Sequence, residues 1–328
     1  MKTSLGFVRL KTILMDGTMA RKKQYRIRNW REYNKALVNR GSLTIWFDEE
    51  SIAEWHNTHL SGQRGRPHDY SDTAIICALT LRNLFRLPLR ATQGLVASLI
   101  QLLCLPLTAP DYSTLCRRQS SLTIPTYKCK HTQPIHLVVD GGGIKIFGEG
   151  EWKMRQHGKE KRRTWRKLHI AVDEASQDII MSVISDSNVH DGEVLDLLLP
   201  SIEDMVVAQV TGDGAYDSHP CYNAAIKIGA KPCFPPRINA ARHKPIDEAH
   251  KSRNRAVGSV RNKGLKKWKE KNNFHRRSLA ETAFSRLKKI FGSHAASRVF
   301  ENQVIELGLR CHILNRMNQL GMPDSVMR

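Results

Sequence analysis

Residues 135–143 read "IHLVVDGGG". The apolar run predicts a short buried strand that ends in Asp140. A carboxylate there leaves a rigid element, and Gly141, Gly142 and Gly143 allow a ligand close to the backbone. The competing reading is an Asp-Gly turn that closes a hairpin. Downstream, "RKLHIAVDEASQDIIMSVIS" (166–185) predicts two strands around a turn from Asp173 to Asp178. "GEVLDLLLPSI" (192–202) predicts a helix, and "MVVAQVTGDGAYDS" (205–218) a strand running into a loop at Asp213. "HPCYNAAIKIG" (219–229) predicts a helix closed by Gly229, and "KPCFPP" (231–236) a short strand. A very basic segment, 236–277, leads into "RRSLAETAFSRLKK" (276–289), an amphipathic helix. The order β–β–β–α–β–α–β–α indicates a mixed α/β sheet.

Upstream the texture is helical. Residues 48–62 and 71–87 read as helices, the second with an apolar stripe at Ile75, Ile76, Leu79 and Leu84. A basic Gly/Pro loop, "SGQRGRPHDY" (61–70), lies between them. Residues 90–122 read as a helix at 91–104, a turn with Pro106 and Pro110, and a short helix from Ser113. This helix–turn–helix pattern sets Arg117 and Arg118 on DNA; a plain packed helical hairpin is the alternative. Met19 reads as a start, with residues 1–18 a leader or an upstream in-frame start.

The chain has 328 residues and is 41% apolar, the composition of a globular protein. Its 52 Lys and Arg against 31 Asp and Glu give a net charge of +21. That excess points to a polyanionic partner, nucleic acid before an anionic membrane. The longest apolar run, "GLVASLIQLLCLPL" (94–107), falls short of the roughly 18 residues of a membrane span. The first residues lack the apolar core and cleavage site of a signal peptide, so a cytoplasmic protein is expected. The seven cysteines form no Cys-x-x-Cys pair and read as small buried hydrophobes.

Phosphodiester cleavage needs charge neutralisation at the phosphate and an activated water or hydroxyl. Two Mg²⁺ ions about 4 Å apart, held by a few carboxylates, do both, so the carboxylates must lie within about 8 Å of one another. Asp140 and Asp213 both end apolar strands. Asp217 is the rival to Asp213 but fits better as a turn former or cap before His219 and Pro220. Asp173, Asp178, Asp186 and Asp191 read as structural. Glu281 stands on a helical wheel beside an apolar arc of roughly 140° made by Leu279, Ala280, Ala283, Phe284, Leu287, Ile290 and Phe291. Arg277 and Lys288 fall within about 40° of it. Taken alone, Glu281 reads as a surface ion-pair partner worth under about 1 kcal/mol. The two other carboxylates and the basic chain turn it into a candidate ligand.

The set Asp140, Asp213 and Glu281 resembles that of the DDE transposases of bacterial insertion sequences. The specific sign is that group's Tyr-Arg-Glu-Lys signature, with two, three and six residues between its members. Here it stands as Phe274, Arg277, Glu281 and Lys288. The blocks "HLVVDGGGIKIFGEGEWKMRQHGKEKRRTWRKLHIAVD", "TGDGAYDS", "HRRSLAETAFSRLKK" and "ILNRMNQLGMP" carry the resemblance further, from Met19 onward. There are two departures: Phe274 replaces the Tyr, and Gly141 and Gly142 stand where the family usually has a Ser or Thr.

The resemblance implies a ribonuclease H-like catalytic domain over 126–318, after a helical DNA-binding region over 19–125 and before a tail at 319–328. It implies that Asp140, Asp213 and Glu281 are catalytic and bind two Mg²⁺, with Mn²⁺ able to replace them. Arg277, Lys288 and Phe274 would lie along the DNA backbone near the cut. "EWKMRQHGKEKRRTWRK" (151–167), with Lys161, Arg162 and Arg163 between Trp152 and Trp165, fits the same DNA track; a solvated hairpin face is the alternative. The implied function is a nucleoid-associated transposase. It binds the terminal inverted repeats of its element as a dimer or higher oligomer on double-stranded DNA, cleaves the ends and joins the 3′-hydroxyls to target DNA. The alternatives are a non-catalytic DNA-binding regulator and a simple nuclease of the same fold.

Overall fold

The structure is a computed structural model that describes residues 25–58, 68–125, 133–146, 165–199 and 205–327. It opens with β1 (Tyr25–Ile27), α1 (Trp30–Asn39), α2 (Leu43–Trp46) and α3 (Glu49–Ala53). The helix expected at 48–62 stops at Ala53. Trp55 turns into the core, its Nε1 donating to the Thr108 carbonyl at 2.8 Å, and His56 bridges Tyr70.

Three helices follow, α4 (Asp72–Phe85), α5 (Leu89–Leu102) and α6 (Tyr112–Gln119). Ser71 caps α4 by accepting the Ala74 N–H at 3.1 Å, and Asp111 caps α6 through the Ser113 N–H at 2.8 Å. Then come β2 (Ile135–Ile146), β3 (Trp165–Asp173), β4 (Ile179–Asp186), α7 (Asp191–Leu198), β5 (Val207–Thr211), α8 (His219–Lys227) and β6 (Lys231–Cys233). The basic segment is itself helical, as α9 (Glu248–Lys263) and α10 (Leu265–Lys271), and a 3₁₀ turn at Phe274–Arg277 enters α11 (Ser278–Phe291). A two-residue strand β7 (His294–Ala295), α12 (Phe300–Gln319) and β8 (Ser325–Met327) complete it.

The main sheet runs β4-β3-β2-β5-β6, with β7 against the far end of β2. The first three strands are antiparallel, whereas β5 and β6 continue in parallel from β2. Alternation sorts the faces. Leu137 and Val139 pack with α7 and α8, and Val138 and Ile144 pack with α11 and α12. On α11 the sheet-facing side buries Ala280, Ala283, Phe284, Leu287 and Phe291. Helices α4, α5 and α6 share that same apolar core.

Strand β2 does not end at Asp140, nor do the glycines form a hairpin turn. It continues to Ile146, with Gly141, Gly142 and Gly143 paired to His169, Leu168 and Lys167. The glycines admit protein side chains. A Cβ on Gly142 would stand 2.8 Å from Cε1 of Phe284, so only a bare backbone lets α11 sit this low on the sheet. Gly142→Ala is therefore expected to cost about 1–3 kcal/mol by overpacking and to displace the helix that carries Glu281. Denaturant unfolding of Gly142→Ala and of the double variant with Phe284→Leu checks this, since the second change should restore part of the loss.

Candidate active site

The register of β2 and β5 brings the first two acids together. Val138 faces Thr211 across the parallel pair. Two residues further along each strand, Asp140 and Asp213 emerge side by side, with chains spaced about 4.8 Å apart. By strand alternation Asp140 lies on the face covered by α11, and the charge of Asp213 bears on it. Asp140 accepts the Gly141 N–H at 3.0 Å, and Asp213 caps the next 3₁₀ turn through the Ala215 N–H at 2.8 Å. Glu281 comes from the first turn of α11 and is 54% exposed. Arg277 joins it to the sheet: one guanidinium nitrogen lies 3.4 Å from Asp140 Oδ2 and the other pairs with Glu281.

Burial pushes the Asp140 carboxyl up to about 6, and the charges of Asp213 and Glu281 push it the same way. The Gly141 N–H and Arg277 pull in the opposite direction without prevailing. The charges that raise the cost of ionising Asp140 call for a countercharge, and an all-oxygen donor set suits a hard divalent cation. Arg277 supplies part of that charge.

A folded-state value above the unfolded 3.8 means that the native state keeps the Asp140 proton longer than the unfolded chain does. Stability from this group is present in acid and falls as pH rises from about 4 to about 7. In chelator and low salt, Asp140→Asn should thus be more stable than the parent by about 1–3 kcal/mol at pH 8 and equal to it near pH 4. Thermal unfolding across that range measures the gap, which a divalent cation should close.

Asp217 has a different role. Its side chain is fully buried and clasped by Arg253, Nε to Oδ1 at 2.8 Å and Nη2 to Oδ2 at 3.0 Å, while the Arg237 N–H donates at 3.0 Å. Asp173 closes the β3–β4 turn by accepting from the Ala175 and Ser176 N–H groups. Asp178 holds Asn318, and Asp186 pairs with Arg166.

Two of the expected DNA contacts are buried. Arg118 is buried, committed to Asp72 and to the Tyr70 carbonyl at 2.8 Å, because α6 packs that side against α4. The ring of Phe274 is buried against Trp268, with centroids 6.0 Å apart, and carries packing instead of a phosphate contact. Arg117, Lys288 and Glu281 are exposed. Lys161, Arg162 and Arg163 lie outside the described residues. Two of the cysteines read as buried, Cys104 and Cys116, are exposed.

Sequence reading missed the support behind Asp140. Asp191, at the start of α7, lies on the opposite face of β2, where a Cβ on Gly141 would come within 2.4 Å of its Oδ1. It takes Lys167 Nζ at 3.3 Å and stands 3.3 Å from Nδ1 of the buried His169. The cross-strand pairing of Gly141 with His169 is set by sheet register, which a single sequence does not reveal.

A family model described as a transposase DDE domain matches residues 131–316, more than half of the chain, and a second model of the same description matches 38–149. A solved cryo-EM structure, the piggyBac transposase synaptic complex with hairpin DNA, is similar at 11% identity and a TM-score of 0.35. That match covers 90% of this chain and 78% of the other, a likeness too loose to bear on mechanism. Matched by a family model over more than half its length, this chain, with its mixed α/β sheet, belongs to the DDE transposases.

Proposed function

We propose that the protein is an insertion-sequence transposase of the Tyr-Arg-Glu-Lys group, which cuts DNA at the ends of its element and joins the freed ends to a target. The observation that carries this is that Arg277 pairs with both Asp140 and Glu281, while the charges of Asp213 and Glu281 both bear on Asp140. These three carboxylates would hold two Mg²⁺, or Mn²⁺ in their place. The ions, when bound, supply charge neutralisation at the phosphate and a water of lowered pKa.

The chain's own residues do the rest. Asp140 is fixed by the sheet and Asp213 by the 3₁₀ turn it caps, so the reacting phosphate meets a rigid edge. Arg277 releases its carboxylates and takes a phosphate oxygen, and Lys288 holds the backbone further along α11. Water attacks the phosphorus and the 3′-oxygen leaves. The resulting 3′-hydroxyl attacks a target phosphate and displaces a target 3′-oxygen in turn. The helical region through residue 125 reads the terminal inverted repeats, with Arg117 on its surface. Helices α9 and α10, which expose Arg261, Lys263, Lys266, Lys267 and Lys271, extend a basic track toward the site. Two ends must be held at once, so a dimer or larger assembly forms on the DNA.

No helix among the described residues is long and apolar enough to cross a membrane. A basic DNA-bound enzyme of this kind works in the cytoplasm at the nucleoid. The test is incubation of purified protein with labelled element-end DNA, a target plasmid and Mg²⁺. Cleaved and joined products support the reading. Cleavage without joining makes the protein a nuclease, and salt-sensitive binding without cleavage makes it a regulator.

A further inference from the structure

At the start of α9 a cluster of different chemistry stands apart from the three acids. Asp247 caps the helix by accepting the His250 N–H at 2.8 Å. The same oxygen, Oδ1, meets His250 Nδ1 at 2.8 Å, while Oδ2 meets His219 Nε2 at 2.6 Å. The two imidazole rings lie 4.1 Å apart, centroid to centroid, and tilted by 33°. One donor atom from each of the three side chains lies within 4.8 Å of the other two. The trio is assembled by the fold: His219 begins α8, and Asp247 and His250 arrive from the start of α9.

Two imidazole nitrogens and a carboxylate oxygen at this spacing form a borderline donor set. Such a set suits Zn²⁺ and its first-row neighbours, whereas Mg²⁺ prefers oxygen alone and keeps its waters. Donors on a tetrahedral zinc stand about 3.3 Å apart, given metal–nitrogen bonds of about 2.0–2.1 Å. The contacts at 2.6 and 2.8 Å, made to the two different oxygens of Asp247, are shorter than that by about 0.5–0.7 Å, so the three side chains open to admit the ion. Those side chains are 37%, 42% and 21% exposed for His219, Asp247 and His250, which leaves a route from solvent and room for a water ligand.

We propose that His219, Asp247 and His250 form a transition-metal site of the Zn²⁺ class, separate from the Mg²⁺-type carboxylate site. The ion ties the start of α8 to the start of α9. The Arg253–Asp217 pair spans the same junction, and Asp213 precedes it by one 3₁₀ turn. The metal thus reinforces the seam between the active-site loop and the basic helices.

The test uses untagged full-length protein carrying Asp140→Asn and Glu281→Gln, which silences the carboxylate site. After chelator treatment, Zn²⁺ is titrated at pH 7.5 with millimolar Mg²⁺ present, read by calorimetry and by metal content after dialysis. The expected result is one retained Zn²⁺ per chain and a melting temperature raised by Zn²⁺. His219→Gln and His250→Gln should each weaken binding at least tenfold and abolish the thermal shift. Asp247→Asn keeps a capping oxygen but loses the charge, so it should fold and still bind at least tenfold more weakly. Matching circular dichroism of the chelated variants and parent separates lost ligands from lost fold. Zn²⁺ affinity unchanged in all three variants overturns the proposal, as does a parent that retains no Zn²⁺. The readout needs neither DNA nor cleavage, so it stands or falls independently of the transposition chemistry.

Discussion

Asp140→Asn is expected to lower Mg²⁺-dependent cleavage of an element-end DNA by at least about a thousandfold, with DNA affinity held within about threefold. The asymmetry follows from position. Asp140 sits on the central strand of the sheet, half-buried, with Asp213 just beyond the end of the neighbouring strand and Arg277 paired to it. Asn keeps the volume and can still accept the Gly141 N–H, so the sheet is undisturbed and only the charge is lost. Asp213→Asn and Glu281→Gln should act alike. Asp217→Asn serves as the contrast, because its buried carboxylate holds Arg253 and should lower stability before it touches chemistry. Single-turnover cleavage alongside filter binding distinguishes these outcomes. Cleavage that survives in all three of the first group would remove these acids from the reaction.

The largest effect on stability is expected at Glu306. Its carboxylate is almost fully buried on α12 and accepts the Ala296 and Ser297 N–H groups, each at 2.8 Å. Arg310 pairs with it one turn on, and Arg82 reaches it from α4 at 3.9 Å. Burial alone would raise the carboxyl, but Arg310, Arg82 and those hydrogen bonds hold it below its usual range. Arg310 in turn donates to Asn83 at 3.0 Å and to the His294 carbonyl at 2.8 Å. Glu306→Ala leaves two buried guanidinium groups and two N–H groups without their partner. A loss of about 3–5 kcal/mol follows, or a melting temperature lower by on the order of 10 °C. Because the carboxyl is depressed in the folded state, its contribution exists above the unfolded value and fades as pH falls through the folded one. The gap between parent and Glu306→Ala should therefore shrink in strong acid, a second reading from the same melts.

The mixed sheet was legible because its signals are local. Apolar runs ending in turn formers gave β2 through β6 in order, and the wheel at 276–289 put the right side of α11 on the sheet. Local logic expects Asp217 to cap the following helix, but it is instead buried against Arg253, a pairing set by tertiary packing. What local signals could not supply was pairing. The triple glycine admits a ligand or a neighbouring helix equally well, and only the position of Phe284 decides. Arg118 and Phe274 carry the residue types of DNA contacts, yet tertiary packing turns both inward. Helices α9 and α10 were hidden by charge, because a basic segment with few apolar residues shows little periodicity. The cap at Asp247, followed by Glu248 in the first turn, was the available sign.

Arg86 ends α4 in a left-handed turn, at φ 53°, and its guanidinium reaches across to the end of α11. There it donates to the Lys289 carbonyl at 2.9 Å and to the Ile290 carbonyl at 2.7 Å. A helix of 14 residues is a stiff rod about 20 Å long, with Glu281 near the opposite tip. Arg86 thus ties the α4–α5 corner to the far end of the same helix whose first turn carries Glu281 and whose Phe284 rests on the bare backbone of Gly142.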